Sequence, residues 1–124
     1  MKSRITKFPT NRSIEELETY LDTLIKFTYK SLHKDHVSKQ EIIYYPSFYL
    51  YRQNMNMLTD DKHIDNYKLV KIILRKVTNE STLITIKQEA MMDNDWREPM
   101  VSTVYNKTVK IIDDSLERYF KKVK

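Results

Sequence analysis

The chain lacks glycine and cysteine altogether, although it is 124 residues long. Phosphate-binding loops, dinucleotide-binding folds and nucleophile elbows need glycine for close backbone approach, so its absence argues against those enzyme classes. The absence of cysteine excludes disulfides, thiolate zinc sites and thiol redox chemistry. No apolar run approaches the roughly 18 residues of a membrane-spanning helix, and no apolar stretch of the signal-peptide type follows the charged N-terminus. These absences predict a cytoplasmic protein that does not span a membrane, is not an enzyme and uses no cofactor or metal.

The composition that remains is that of one globular domain. Charged residues make up 31% of the chain and hydrophobic residues 40%, which is typical of folded proteins and not of disordered ones. The 22 basic and 17 acidic side chains leave a formal net charge of +5. A positive balance of this size permits a polyanionic partner such as nucleic acid without requiring one.

Amphipathic helices are predicted near both ends of the chain. Ser13 and Glu16 form a capping box, and the helix predicted over residues 13–34 carries a wide apolar stripe. A final helix is predicted over residues 106–121. Such stripes suit a dimer seam or a monomer core equally well. The candidate dimerisation residues on the two helices are Leu17, Leu21, Leu24, Ile112, Leu116 and Tyr119.

Residues 38–51 allow two interpretations. Ser38 and Glu41 form a second capping box, which predicts a helix with a kink at Pro46. The aromatic and β-branched content of residues 42–51 is instead typical of a strand. The strength of the capping box favours the kinked helix.

The middle of the chain predicts a helix-turn-helix over residues 54–77, with a recognition helix over residues 65–77. Asp65 is the expected N-cap of that helix, and apolar residues recur behind it at helical spacing. A β-hairpin wing is predicted over residues 82–105, with residues 100–105 as its second strand. Such a helix can enter the major groove of DNA while the wing reaches a phosphate or the minor groove.

The candidate DNA contacts are basic or polar side chains on the predicted recognition helix and wing. They are Asn66, Tyr67, Lys68, Lys71, Arg75, Lys87 and Arg97. An asparagine suits an adenine edge, and lysine or arginine suits guanine. Lysines can equally contact phosphates, which position the protein without specifying a sequence.

With these residues in this order, the chain resembles the staphylococcal accessory regulators, a single-domain branch of the MarR-like winged-helix transcription factors. The resemblance spans residues 13–121. The run Ser38-Lys39-Gln40-Glu41 is similar to the opening of the second helix in that family. Residues 65–77 are similar to its recognition helix, and Asp95-Trp96-Arg97 is similar to its wing-tip Asp-x-Arg motif.

The resemblance implies a mainly α fold with a small β-hairpin wing, a winged helix-turn-helix that forms one domain over residues 1–124. It also implies an obligate homodimer joined through the first and last helices, with two recognition helices in successive major grooves. In this arrangement Arg97 enters the minor groove, and Asp95 orients it through an ion pair. Glu98 and Pro99 lengthen the wing tip relative to the family pattern, which leaves the register of the wing open.

The function predicted on this basis is that of a homodimeric transcriptional regulator that binds double-stranded DNA at AT-rich promoter sites. The operator, the direction of regulation and any effector ligand stay open. The alternative is a small protein–protein interaction module, such as an inhibitor from a mobile element, that binds through its aromatic segment at residues 44–51.

Overall fold

A computed structural model of the protein describes residues 3–29, 32–46, 69–95 and 97–120. The predicted DNA contacts that lie outside the described residues are Asn66, Tyr67 and Lys68. The elements along the chain are β1 (Arg4–Thr10), α1 (Ile14–Tyr29), β2 (Lys34–Ser38), β3 (Glu41–Tyr44), β4 (Val70–Thr78), β5 (Ser81–Gln88) and α2 (Glu98–Ser115), which a π-helical turn extends over Leu116–Phe120.

The strands form one antiparallel sheet in the order β1-β5-β4-β3-β2. The β4–β5 hairpin is at its centre and pairs, for example, Ile72 with Ile86. Even-numbered side chains over Val70–Leu74 and throughout β5 are buried, and their odd-numbered neighbours are partly exposed. This alternation follows from the two-residue period of a strand. One face of the sheet therefore packs on the core, and we call the other the open face.

The two helices lie antiparallel to each other over the buried face of the sheet. The hydroxyls of Tyr29 and Thr108 hydrogen-bond at 2.7 Å, which joins the end of α1 to the middle of α2. The rings of Tyr20 and Tyr119 lie 5.7 Å apart between centroids, which joins the middle of α1 to the turn that follows α2. The largest of the fully buried aliphatic side chains are Leu17, Leu21, Ile25, Ile72, Leu74, Ile84, Ile86 and Ile112.

Both tight hairpins form without glycine. The usual two-residue hairpin turns need a positive φ, and within the described residues only Asn94 has one, at 63°. The pairing register instead shifts beside each turn, between His36 and Ser38 in β2 and between Lys76 and Thr78 in β4. Because a β-bulge adds local twist, each hairpin closes with a bulge where other chains use glycine.

The prediction of a mainly α winged helix-turn-helix is wrong. The described residues form a five-stranded antiparallel sheet with two helices on one face. The predicted recognition helix over residues 65–77 is strand β4 from Val70 onward, which rules out the second helix of the predicted helix-turn-helix. The rest of that helix-turn-helix, residues 54–68, lies outside the described residues. Val70 and Ile72 alternate with partly exposed neighbours, and β-branched side chains of this kind pack well on a pleated sheet.

The predicted wing over residues 82–105 is wrong in its second half. Strand β5 pairs with β4 and β1, and residues 100–105 belong to α2. Glu98 and Pro99, interpreted as an extension of the wing tip, begin α2. Proline is favourable at the start of a helix because the N–H it lacks has no intrahelical partner there. The predicted final helix over residues 106–121 is therefore confirmed in type but begins at Glu98.

The N-terminal helix is confirmed over Ile14–Tyr29, although not up to residue 34, because a strand begins at Lys34. The Oγ atom of Ser13 accepts the backbone N–H of Glu16 at 3.2 Å, as the capping box predicts. In the part of the chain that the structure describes, neither helix is long and apolar enough to cross a membrane.

The kinked helix predicted from Ser38 is wrong where the structure describes the segment, and the strand interpretation is confirmed for Glu41–Tyr44. Residues 47–51 of this segment lie outside the described residues. Residues 39–40 form the turn between β2 and β3. The Oγ atom of Ser38 accepts the backbone N–H of Gln40 at 3.1 Å. A serine that caps a turn in this way has the same local sequence pattern as one that caps a helix, which is why the capping box misled the prediction.

Candidate nucleic-acid interface

The open face of the sheet gathers lysines from three adjacent strands. Lys71 of β4 lies directly opposite Lys87 of β5, and Lys87 lies directly opposite Ile5 of β1. Lys7 is two residues from Ile5 on the same side of β1, which makes it a diagonal neighbour of Lys87 at about 7–8 Å between Cα atoms. We call Lys7, Lys71 and Lys87 the lysine patch.

A carboxylate partly compensates the two central lysines. Like charges directly opposite each other destabilise a pair of strands. The Oε1 atom of Glu89 lies 3.2 Å from Nζ of Lys71 and 3.5 Å from Nζ of Lys87, and so serves both. Burial alone would raise the pKa of the Glu89 carboxyl, but the two ammonium groups outweigh it and hold this pKa below its ordinary value. The lysine patch together with Glu89 therefore keeps a net positive charge.

The side chains of the lysine patch are at least partly exposed to solvent. The side chains of Lys71 and Lys87 are 27% and 34% exposed. Each ammonium group has three donors, and both contact the same oxygen of one carboxylate. Donors and positive charge are thus left over on the open face, where an anion from solution can reach them.

Arg75 marks the edge of the basic surface towards β3. It lies directly opposite Glu41, and its Nη2 atom donates to Oε2 of Glu41 at 3.1 Å. The Arg75 side chain is 68% exposed, so this surface ion pair contributes at most about 1 kcal/mol and opens readily. Four residues of strand place Arg75 about 13 Å from Lys71 along β4.

The structure brings Lys71, Arg75 and Lys87, all predicted DNA contacts, onto one face of the sheet. They lie on strands and not on a recognition helix. The prediction did not include Lys7 among the contacts. Its signal is the alternation along β1, where Ile5, Lys7 and Pro9 are exposed and the residues between them are not.

Arg97 is not part of the lysine patch, because it lies at the start of α2 in the helical layer. The predicted ion pair is present, with Nη2 of Arg97 at 2.6 Å from Oδ2 of Asp95. The backbone N–H of Arg97 also donates to Oδ1 of Asp95 at 2.9 Å. These hydrogen bonds lower the pKa of Asp95 to about 2. The pair thus stabilises the turn that precedes α2, not the tip of a wing.

The predicted dimerisation residues mostly belong to the core of the monomer. Leu17, Leu21 and Ile112 are each 1% exposed, and Leu116 is 7% exposed. Leu24 packs against the edge of this core, and Tyr119 alone in the predicted set is largely exposed. Homodimerisation stays a prediction, but the buried members of the set face the sheet and cannot form a solvent-facing seam.

A second charged cluster, which the sequence did not predict, joins α1 to the β2 edge of the sheet. The Nζ atom of Lys34 lies 2.8 Å from carboxylate oxygens of both Glu18 and Asp22. Glu18 also contacts Nε2 of His36 at 2.6 Å, and the Tyr44 hydroxyl donates to Asp22 at 2.7 Å. The side chains are thus tied to one another, which indicates a structural role in fixing β2 against α1.

The electrostatics of this cluster support that role. Burial alone would raise the pKa of the Glu18 carboxyl, but its hydrogen bonds from Lys34 and His36 outweigh burial and lower the pKa. Burial raises the pKa of the Tyr44 phenol, and the hydrogen bond to the Asp22 carboxylate raises it further. Tyr44 therefore stays protonated and acts as a donor.

We searched the described residues for a metal site and compared the chain with known proteins. Across residues 3–29, 32–46, 69–95 and 97–120, no group of three or more His, Cys, Asp or Glu side chains could hold a metal ion. Comparisons with protein-family models, curated proteins and solved structures gave no match.

Proposed function

We propose that the protein binds double-stranded DNA across the open face of its sheet, and that occupancy of promoter DNA by this face regulates transcription. The observation that carries the proposal is the lysine patch, in which Lys71 and Lys87 stand directly opposite each other and Lys7 lies diagonal to Lys87. The single carboxylate of Glu89 offsets only part of the repulsion between Lys71 and Lys87. The positive charge that remains on this face supports a role in neutralising an anionic ligand.

The spacing of the charges suits a duplex. Lys71 and Arg75 lie about 13 Å apart on one straight strand, which is close to the roughly 12 Å width of the major groove. A basic residue can therefore face the phosphates on each side of the groove. Contacts of this kind position a protein on DNA and make its affinity depend on salt.

The side chains between the charges favour a duplex over a single strand. Proteins that bind single strands without sequence preference stack the bases on aromatic rings. The open-face positions of β1, β5 and β4 carry aliphatic and polar residues, among them Ile5, Ile73, Leu83 and Thr85. These three strands offer phosphates a charged surface but offer bases no stacking platform.

The first test measures binding of a short AT-rich duplex by fluorescence anisotropy at several salt concentrations. If the three lysines of the patch and Arg75 each neutralise one phosphate, log K should fall with log salt with a slope of about −3.6. Lys71→Gln should reduce that slope by about 0.9. Lys76→Gln is the matched control, because Lys76 lies on the same strand with its side chain on the opposite face. Equal effects of the two substitutions would mean that net charge alone attracts the DNA and would refute the assignment of the site to the open face. Failure of the protein to bind the duplex at any salt concentration would refute the proposal as a whole and favour the protein-interaction alternative.

The second test removes the compensating carboxylate. Glu89→Gln frees Lys71 and Lys87 from their shared partner, so the duplex should bind more tightly and with a steeper dependence on salt. Glu15→Gln on the exposed side of α1 makes the same change in net charge and should alter affinity much less. A gain that is equal in both variants would mean that net charge alone attracts the DNA, and the assignment of the site to the open face would fail.

A further inference from the structure

An open groove of about 670 Å³ runs between the edge strand β1 and α2. Arg4 and Thr6 line it from the strand, and Asn106, Lys110 and Asp113 line it from the helix. The three helical residues lie at i, i+4 and i+7, a spacing that places them along one side of α2. The volume is in the range of small-molecule sites in proteins.

Arg4 is held in place at the strand side of this groove. Its Nη1 atom donates to Oε1 of Gln88 at 3.3 Å, and its Nη2 atom donates to Oδ1 of Asn106 at 3.0 Å. The guanidinium carbon lies 4.6 Å from the centroid of the Tyr105 ring. Thr6 fixes that ring in turn, because its Oγ1 hydrogen-bonds the Tyr105 hydroxyl. The guanidinium is thus oriented by neutral groups before any ligand arrives.

The partners of Arg4 are uncharged and therefore do not neutralise its positive charge. A guanidinium has five N–H donors, and the two hydrogen bonds of Arg4 go to amide oxygens. Within the described residues, no carboxylate lies within ion-pair distance of Arg4 or Lys110. An oriented guanidinium with unused donors, beside a second cation, is a favourable arrangement for a carboxylate or phosphate.

The balance of charge in the groove selects among anions. Arg4 and Lys110 bring two positive charges and Asp113 one negative charge, so the groove complements a single negative charge. The Asp113 carboxylate would repel a second negative charge but can accept a hydrogen bond from a hydroxyl group. Ile5 and Val109 add apolar surface beside these groups.

We propose that this groove is a binding site for a small carboxylate ligand with an apolar body and a hydroxyl group. Its carboxylate lies between Arg4 and Lys110, its apolar body packs on Val109, and its hydroxyl donates to Asp113. The site is separate from the lysine patch, so the proposal does not rest on DNA binding.

The test is an NMR titration of the protein with phenyllactate, followed through its backbone amides up to about 10 mM ligand, where binding in the millimolar range becomes visible. The expected result is saturable shifts confined to β1 and the middle of α2. Phenyllactate methyl ester, which lacks the negative charge, should produce no such shifts. Absence of saturation, or equal binding of the ester, would overturn the proposal.

Two substitutions at exposed positions separate the roles of the charges. Lys110→Gln should weaken phenyllactate binding about fivefold to tenfold, as expected for loss of one charge-assisted contact near the surface. Lys107→Gln on the same helix is the control, because Lys107 lies over the Tyr29 ring and does not line the groove. Asp113→Asn should shift the preference towards the dianion phenyl phosphate. Equal effects of Lys110→Gln and Lys107→Gln would overturn the proposal, as would an unchanged preference in Asp113→Asn.

Discussion

Removal of the buried hydrogen bond between Tyr29 and Thr108 tests how α1 packs on α2. The two hydroxyls lie 2.7 Å apart, and the residues are 2% and 1% exposed. Tyr29→Phe deletes one hydroxyl and keeps the ring, so the contact between that ring and Lys107, whose Nζ lies 5.3 Å from the ring centroid, is retained. Thr108→Val deletes the other hydroxyl and keeps a side chain of similar shape.

The expected loss of unfolding free energy depends on whether a substitution leaves a buried hydroxyl without a hydrogen-bond partner. A buried hydroxyl without its partner costs about 1–3 kcal/mol, so each single variant should lose about 2 kcal/mol of unfolding free energy. The double variant removes both polar groups together and leaves none unsatisfied. Its loss should therefore be well below the sum of the single losses, with a coupling energy of about 1–2 kcal/mol.

The assay is equilibrium unfolding in urea for the four proteins of the cycle. With a typical m-value for a domain of this size, each single variant should lower the urea midpoint by about 1 M while m stays constant. Thr23→Val on the exposed side of α1 is the control and should change the midpoint little, because its hydroxyl is not buried. Additive losses in the cycle would show that the two hydroxyls do not meet, and the antiparallel pairing of the helices would then be wrong.

Two further predictions test the sheet and the turn before α2. Ile72→Ala should lower the free energy of unfolding by about 3 kcal/mol because its side chain is fully buried. Ile73→Ala on the open face should lower it by only about 1 kcal/mol. Comparable losses of the two variants in urea unfolding would contradict a sheet with one buried and one open face. The pKa of Asp95 in the folded protein is about 2, below its ordinary value of 3.8, so its ion pair with Arg97 stabilises the fold above about pH 4 and is lost as the pH falls towards 2. Asp95→Asn should therefore lower stability at neutral pH and flatten its decline in acid; an unchanged acid profile would contradict the pKa shift.

The element that sequence predicts best here is α1. Its capping box at Ser13 and Glu16, together with an apolar stripe, gives the N-terminus of the helix and the side that is buried, because both depend on residues within the helix itself. The same reasoning failed at Ser38 and Glu41. A capping box needs a following apolar stripe of helical period, and the short run after Glu41 fits a strand as well as a helix.

Strand β4 shows why one apolar pattern can predict two elements. Val70 and Leu74 are four residues apart, which places them on one side of a helix and equally on one side of a strand. Ile72 decides between the two, because it is buried with them in the strand, whereas on a helix it would point away. The asparagine-glycine turn that most clearly identifies a hairpin is unavailable to a chain without glycine. The β4–β5 hairpin therefore lacked its usual signal.

The start of α2 could have been predicted from two signals. Pro99 is favourable in the first turn of a helix. The apolar and buried positions after it recur at helical spacing, namely Val101, Val104, Tyr105 and Thr108. The order of the strands could not. The edge strand β1 pairs with β5, so Phe8 meets Ile84 across a long stretch of chain. No local pattern indicates that contact, and it arises only because two half-buried faces need each other to cover the core.

The sequence predicted that Lys71 and Arg75 share one face, although the secondary structure predicted for this segment was wrong. Strand geometry explains both outcomes. Lys71 and Arg75 share a face whether the segment is a helix or a strand, because a separation of four residues is close to one helical turn and equal to two strand repeats. The distance between them does depend on the element. It is about 6 Å on a helix and about 13 Å on a strand. The two charges therefore form a broad surface and not a compact pair. In the proposed complex with DNA, such a surface favours contacts with the phosphates of both strands over the reading of one sequence.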